Sequence, residues 1–485
     1  MGAVSGFPAT AIRGIWHRPV EKNAKEIGET LDYLKRAGLN TVFLETFFHG
    51  YTIFPSDVYT AFGITPNENP DFAGVDLLKL WTQQAHQRGM KVHVWFQTFY
   101  AGTKAVNPPG PILAKYPQWA NVQYGALYVK PDPNAPKITD TATTVKPSGN
   151  TGGNTAKIPA LPTQVSDQSV PQDNPAETAA PVPPENPILD NGNGDGTAAS
   201  APVKTATTTP AVAPFTPGAT SETTPENPQP QTPATPLPPA VIKEAPPVPV
   251  SSTLELGAYF LDPANPDARG FLLSLINEII SKYDIDGFQF DYIRYPGSFP
   301  QDRFSYLKTT WGYTDIERKA FKDATGADPA FISDTANPQL WAQWDAYKTE
   351  QISSFVQEAQ KMIRSKRPDV LISAAVFPDI AKAKQVKEQD WATWATSGWV
   401  DFLAPMTLTS AVKVVGNDTQ KTIATVDQKV PVVSGVFGAF NDNTAEQLLD
   451  QIEAAREAGA SGFNIFDTAH LTGRMVDALH AAQVK

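Results

Sequence analysis

The chain contains no cysteine. That removes disulfides, thiolate metal ligands and a cysteine nucleophile together, and leaves the compartment open. Histidine is scarce, with six in 485 residues. The HExxH zinc signature is missing. So is the HxH pair that a barrel metallohydrolase places on its first strand, because His17 is followed by Arg18. There is no GxSxG nucleophile elbow, no GxGxxG and no GxxxxGK[ST] loop. No metal and no cofactor is therefore expected. Positive charge is in deficit, with 39 Lys and Arg against 50 Asp and Glu and a formal net charge of −11. That disfavours nucleic acid, which calls for basic patches that neutralise phosphates, and anionic membranes for the same reason. No apolar run approaches the roughly 18 residues of a transmembrane helix. Met1–Thr10 has neither a basic n-region nor an apolar h-region. An extracytoplasmic location, in the periplasm or cell envelope, is expected if a leader has been removed.

Hydrophobic residues make up 41% of the chain, enough to bury an enzyme-sized core. They are unevenly spread. Between Pro131 and Val250 lie 26 of the 45 prolines and a single aromatic residue, Phe215. Such a Pro-, Thr- and Ala-rich tract buries too little apolar surface to offset its ordering entropy. Residues 131–253 read as a disordered insertion, either a tolerated loop or a tether to the cell wall.

On both flanks, 1–130 and 254–485, one pattern recurs: amphipathic helix, glycine or proline stop, apolar strand. Ile12–Trp16 opens the series. Thr41–Phe47, Lys91–Phe96, Gly287–Asp291, Val370–Val376, Val400–Pro405, Val430–Val436 and Gly462–Phe466 continue it, each followed by a helix. Eight β/α units in about 360 residues predict a (β/α)8 TIM barrel interrupted after strand three, with the insertion on the C-terminal face.

In that fold, catalytic groups stand at the C-terminal ends of strands. The acids that fall there are Glu45, Asp291, Asp379 and Asp467. In Gly287-Phe288-Gln289-Phe290-Asp291, period-two alternation turns the phenylalanines toward the helices, and Gln289 and Asp291 toward the axis. A carboxylate aimed into a barrel mouth is costly unless hydrogen-bonded or used, and the bland alternative is a buried Asp paired with Arg294 or Arg13. Glu45 faces the axis by the same alternation. The aromatic setting of Phe47, Phe48 and His49 would raise its pKa toward that of a general acid, the alternative being a structural Glu bonded to backbone. Asp284 and Asp286 enter strand four from below and read as structural. His93 alternates with Trp95 and Gln97 toward the axis, near the mouth. Trp16, Trp95, Phe99, Tyr100, Tyr292 and Tyr295 fall at or past strand ends, where flat rings can stack on sugar faces.

The stretch Leu261-Asp262-Pro263-Ala264-Asn265-Pro266-Asp267-Ala268-Arg269, with Tyr283-Asp284-Ile285-Asp286 leading into strand four and Tyr292, resembles the glycosyl-hydrolase-like family 10 barrels of bacteria. Arg13-Gly14-Ile15-Trp16, Gly89-Met90-Lys91-Val92-His93-Val94-Trp95 and Val400-Asp401-Phe402-Leu403-Ala404-Pro405-Met406 fit too. The resemblance implies a barrel, a carbohydrate substrate, in some members bacterial wall glycan stripped of peptide, and a catalytic acid at the end of strand four, here Asp291. Asp-Tyr-Ile-Arg-Tyr-Pro departs from the paired Asp-Asp-Tyr often found there and is similar to a sister group of glycosidase-type proteins. That leaves the second acid open.

These readings converge on two-carboxylate hydrolysis of a polysaccharide. Asp291 would be nucleophile or general base and Glu45 general acid. Trp16, His49, His93, Trp95, Gln289, Tyr292, Arg294, Asp379 and Asp467 would surround the sugar. The rival is a non-catalytic carbohydrate-binding barrel tethered at the envelope.

Overall fold

Eight apolar segments pair edge to edge in the computed structural model, which describes residues 6–104, 108–123, 257–297, 310–334, 336–438 and 444–484. The expected insertion at 131–253 lies outside the described residues. The strands are β1 (Arg13–His17), β2 (Thr41–Phe48), β3 (Lys91–Gln97), β4 (Gly287–Asp291), β5 (Leu371–Val376), β6 (Phe402–Pro405), β7 (Val433–Phe437) and β8 (Gly462–Phe466). Neighbours run parallel from β1 through β6, and β8 joins β7 to β1. Parallel bridges Leu403–Val432 and Met406–Gly435 close β6 onto β7. The result is a (β/α)8 barrel, as the repeating pattern predicts.

A helix follows every strand: Ala24–Arg36, Leu77–Gln87, Pro266–Lys282, Pro338–Lys366, Ile380–Lys387 with Trp391–Thr396, Val412–Thr425, Ala445–Glu457 and Gly473–Val484. Local chemistry sets their ends. Asn265 accepts from the Asp267 and Ala268 N–H groups, with Pro266 at the first helical position. Thr444 and Gln447 form a capping box.

Period-two alternation sorts the strand side chains into two cores. Val42, Leu44, Phe288, Phe290 and Ile372 pack outward under the helices. Trp16, Phe43, Trp95, Ala375, Phe402, Ala404 and Val433 fill the barrel itself. At mid-height the His93 ring lies between Phe43 and Phe402, with centroids 4.9 and 5.9 Å away. The neighbouring strand has Gly287 at the same level. A Cβ there would lie 2.3 Å from His93 Nδ1, so this glycine is required by close approach.

Three features depart from the expected pattern. One helix is expected over Lys387–Ser397, but two short ones form, because Asp379 and Asp390 each cap a separate start. An additional helix, Asp315–Thr325, stands between β4 and its main helix, capped by Thr314 and stopped by Gly326 at φ +78°. Tyr100–Thr103 pairs antiparallel with Ala258–Phe260, so the two sides of the 124–256 segment meet just beyond the C-terminal end of β3. No helix among the described residues is long and apolar enough to cross a membrane.

Gly287→Ala is expected to destabilise the barrel by about 1–3 kcal/mol through overpacking. Adding His93→Ala should recover part of that loss, because it removes the atoms the new methyl meets. Urea denaturation of both variants reads this; equal stability of Gly287→Ala and parent would contradict the packing described.

Candidate active site

The C-terminal mouth gathers three acids from three strands. Glu45 lies in β2, where a register shift between Glu45 and Phe47 interrupts pairing with β3 and re-aims the strand end. Asp291 ends β4, opposite Gln97 of β3. Asp467 follows β8. All three are buried, Glu45 to 1% exposure.

Each acid is held differently. Arg18 Nε donates to Glu45 Oε2 at 2.5 Å and its Nη2 to Oε1 at 3.1 Å, a two-pronged fork that suits a planar carboxylate. Gln97 Nε2 adds a third bond to Oε1, at 2.7 Å. Burial pushes the Glu45 carboxyl up, against the pull of Arg18 and with help from Asp291 and Asp467 nearby. Asp291 receives the Trp95 indole N–H on Oδ2 at 2.7 Å and the Tyr292 backbone N–H on Oδ1 at 2.6 Å. Tyr292 itself adopts φ +45°, the left-handed region that non-glycine residues rarely occupy. Burial raises Asp291 too, opposed by those two donors and by Arg294. Asp467 Oδ1 faces His470 Nδ1 at 2.7 Å, and Arg18 feels its charge as well as that of Glu45.

Trp16, Trp95 and Gln289 form the floor. Trp16 Nε1 donates to Gln289 Oε1 at 2.7 Å, and both indoles are almost wholly buried. They therefore brace the acids instead of presenting open faces to a sugar. Around the rim, His49 stacks on Phe48 with centroids 3.5 Å apart, and its pKa is pushed down to about 3 by burial and by Arg18. Tyr292 is half-buried, 4.8 Å from Tyr100. Arg18 lies 4.3 Å over Phe48. Arg294 is buried against Tyr292, Phe260 and Phe377, its Nη1 donating to the Tyr295 carbonyl.

Several sequence expectations need correction. His93 lies four residues below the β3 end, wholly buried, with its pKa lowered to about 4 by burial; it is a core residue and not at the mouth. Asp379 is exposed and caps a helix through the Lys382 N–H, since the strand stops at Val376. Phe99 and Tyr295 are core rings, the first against Phe355 and the second donating its hydroxyl to Glu317. Arg13 Nε donates to the Gly38 carbonyl, so it pairs with no mouth acid. Asp286 accepts from the Val92 N–H and contacts His86, structural as expected.

Two site residues were missed. Arg18 continues the inward alternation of Gly14 and Trp16 past the end of β1, a signal present in the sequence. Gln97 was legible as inward-facing, but nothing marked its bond to Glu45. A second buried acidic group also emerges: Thr314 donates to Asp262 at 2.7 Å, and Glu317 lies beside them. Burial raises Asp262 to about 6 and Glu317 further. Asp262 also accepts from the Ala264 N–H, which gives the Leu-Asp-Pro motif a structural role. Among the described residues no group of three or more acids and histidines could hold a metal ion.

Replacing Arg18 with Gln would strand the Glu45 carboxylate. The expected cost at pH 7 is about 3 kcal/mol. Without the guanidinium, Glu45 titrates higher in the folded than in the unfolded chain, so stability falls as pH rises. The deficit against the parent should widen as pH rises through and above the ordinary carboxylate range in paired denaturation curves; a deficit independent of pH would argue against the fork.

Comparison with known proteins extends this picture. The family model described as glycosyl hydrolase-like 10 matches residues 11–130 and 241–447. A curated relative, "Glycosyl hydrolase DigH" of Escherichia coli K12, is 30% identical over 130 residues, which span 24% of this chain and 29% of the relative. The Shigella flexneri protein of that name matches to the same extent. Among solved structures, the PgaB (BpsB) glycoside hydrolase domain from Bordetella bronchiseptica superposes with a TM-score of 0.51 at 12% identity, over 98% of this chain and 99% of that one. A β-galactosidase from Marinomonas ef1 gives 0.50 at 10% identity, over 97% and 59%. At such identities these two likenesses speak for the barrel alone.

Proposed function

The chain belongs to the glycosyl hydrolase-like 10 family, and from that premise we propose that it cleaves O-glycosidic bonds of a polysaccharide with a pair of carboxyl groups at the barrel mouth. The observation that carries this reading is the layer of buried acids, Glu45 and Asp291, on neighbouring sides of Gln97 and Trp95. Two carboxyls facing one bond are what hydrolysis through an oxocarbenium-like transition state requires.

The roles follow from the donors. Asp291 accepts N–H bonds on both oxygens, which favours its ionised form, so it serves as nucleophile or as the base that takes a proton from water. Glu45 is the proton donor: the Arg18 fork holds it as a carboxylate in the free protein, and it takes up a proton once sugar loosens that fork, the direction in which burial and two nearby carboxyls push it. On delivering its proton to the leaving oxygen it becomes the carboxylate that Arg18 stabilises. Asp467 is the second reading for the acid, favoured because its carboxylate faces one imidazole instead of a guanidinium fork. The sugar itself would lie against the half-open rim of Phe48, His49 and Tyr292.

The test is release of new reducing ends from a glycan panel that includes peptide-free wall glycan strands. The parent should cleave at least one glycan, and Asp291→Asn should lower kcat by roughly 10²–10⁴-fold. Glu45→Gln and Asp467→Asn, run beside it, identify the acid as the variant whose loss grows with poorer leaving groups. No turnover by a folded parent that still binds sugar, with Asp291→Asn binding equally, would favour a carbohydrate-binding barrel.

A further inference from the structure

The carboxamide of Gln97 is satisfied at one end only. Its Nε2 donates to Glu45 Oε1 at 2.7 Å. A carboxylate offers no proton in return, so the nitrogen must face Glu45 and the amide oxygen must face away. That oxygen is buried and receives no hydrogen bond from the described residues.

Gln289 provides an internal comparison. It lies on the adjacent strand β4, two residues below Asp291, the register partner of Gln97, yet its Oε1 accepts from Trp16 and its Nε2 reaches the Ser373 hydroxyl at 3.4 Å. The other acceptors around Gln97 are also filled. Glu45 takes three N–H bonds from Arg18 and Gln97, and Asp291 takes one on each oxygen. Gln97 and Asp291 are register partners on adjacent strands. The unfilled acceptor therefore belongs to the layer that contains both acids. The unpartnered atoms of His93 and Asn464 lie two residues below Trp95 and Trp16 in strand register, under the tryptophan floor and away from any ligand.

A buried acceptor without a donor is costly, and in a site of this kind the missing donor comes from what binds there. We propose that Gln97 determines sugar specificity: its Oε1 accepts the O–H of one hydroxyl on the unit that meets Glu45 and Asp291. This rests on the glycoside hydrolase reading above and names the contact by which that site tells sugars apart. Hydroxyls are the donors that every face of a sugar presents. A site built around such a bond discriminates strongly against an analogue that lacks it, because the protein group is then left unpaired. The acceptor is covered in this structure, so the hydroxyl enters the carboxylate layer and becomes buried on binding.

The test measures binding, so that it does not depend on turnover. The full chain and its Gln97→Leu and Gln97→Met variants, checked for folding by thermal melts, are titrated with the methyl β-glycosides of glucose, N-acetylglucosamine, galactose and mannose. Whichever binds is followed by its monodeoxy analogues, with saturation-transfer NMR as the readout. One deoxy position should weaken binding to the parent at least tenfold and weaken binding to the folded variants little or not at all. A deoxy profile unchanged by residue 97 would overturn the proposal, as would failure of every glycoside to bind, since an internal water would then be the partner of Oε1. Turnover with a residue-97-independent profile leaves the hydrolase reading standing and removes this one. A residue-97-dependent profile without turnover does the reverse.

Discussion

A carboxylate placed where water cannot reach it must be matched by donors, and the mouth of this barrel is organised around meeting that demand for Glu45. Arg18 supplies the charge, Gln97 a further bond, and Trp95, beside Glu45 on the next strand, passes the requirement on by donating to Asp291. Trp16 and Gln289 brace this layer from beneath. The acids, the fork and the tryptophan floor therefore form one connected arrangement. Removing Arg18 leaves the Glu45 charge buried without its counter-ion, which costs more than the bond itself contributes.

The barrel's closure makes this arrangement available. Parallel strands in a closed ring turn every second side chain inward, so Trp16, Glu45, Trp95, Gln97, Gln289 and Asp291 converge without any loop having to carry them. Groups on rigid strands are held more closely than groups on loops. The rim residues differ. His49 and Tyr292 both sit at positive φ, immediately after strand ends, where the chain turns sharply and places rings around the opening. Strain of this kind is tolerated where the surroundings fix the conformation, and the Tyr292 ring is packed against Tyr100 and Arg294.

Much of this was legible in the residues themselves. Alternation along Gly287-Phe288-Gln289-Phe290-Asp291 separates outer core from inner layer, and the same rule holds for Val42 to Glu45. It failed where depth mattered, because alternation says which way His93 points but not how far below the mouth it lies. It also failed at Asp379, where a helix cap and a strand-end acid look alike in one dimension. The tryptophans were read as platforms because composition carries no record of which face is covered. Arg18 was overlooked although the inward row of β1 leads directly to it. The Asp262–Thr314–Glu317 group could not have been foreseen, since Asp262 is more than 50 residues from the other two and meets them only through an additional helix.

Hydrolysis by this layer requires that a glycan reach it. The crystal structure of Asp291→Asn soaked with an oligosaccharide tests that requirement most directly. The account predicts a sugar at the C-terminal mouth, with a glycosidic oxygen within about 3.2 Å of the carboxyl group of Glu45 or Asp467 and the anomeric carbon facing residue 291. Oligosaccharide bound only away from the barrel mouth, with Glu45 still locked in the Arg18 fork beneath a closed rim, would contradict it.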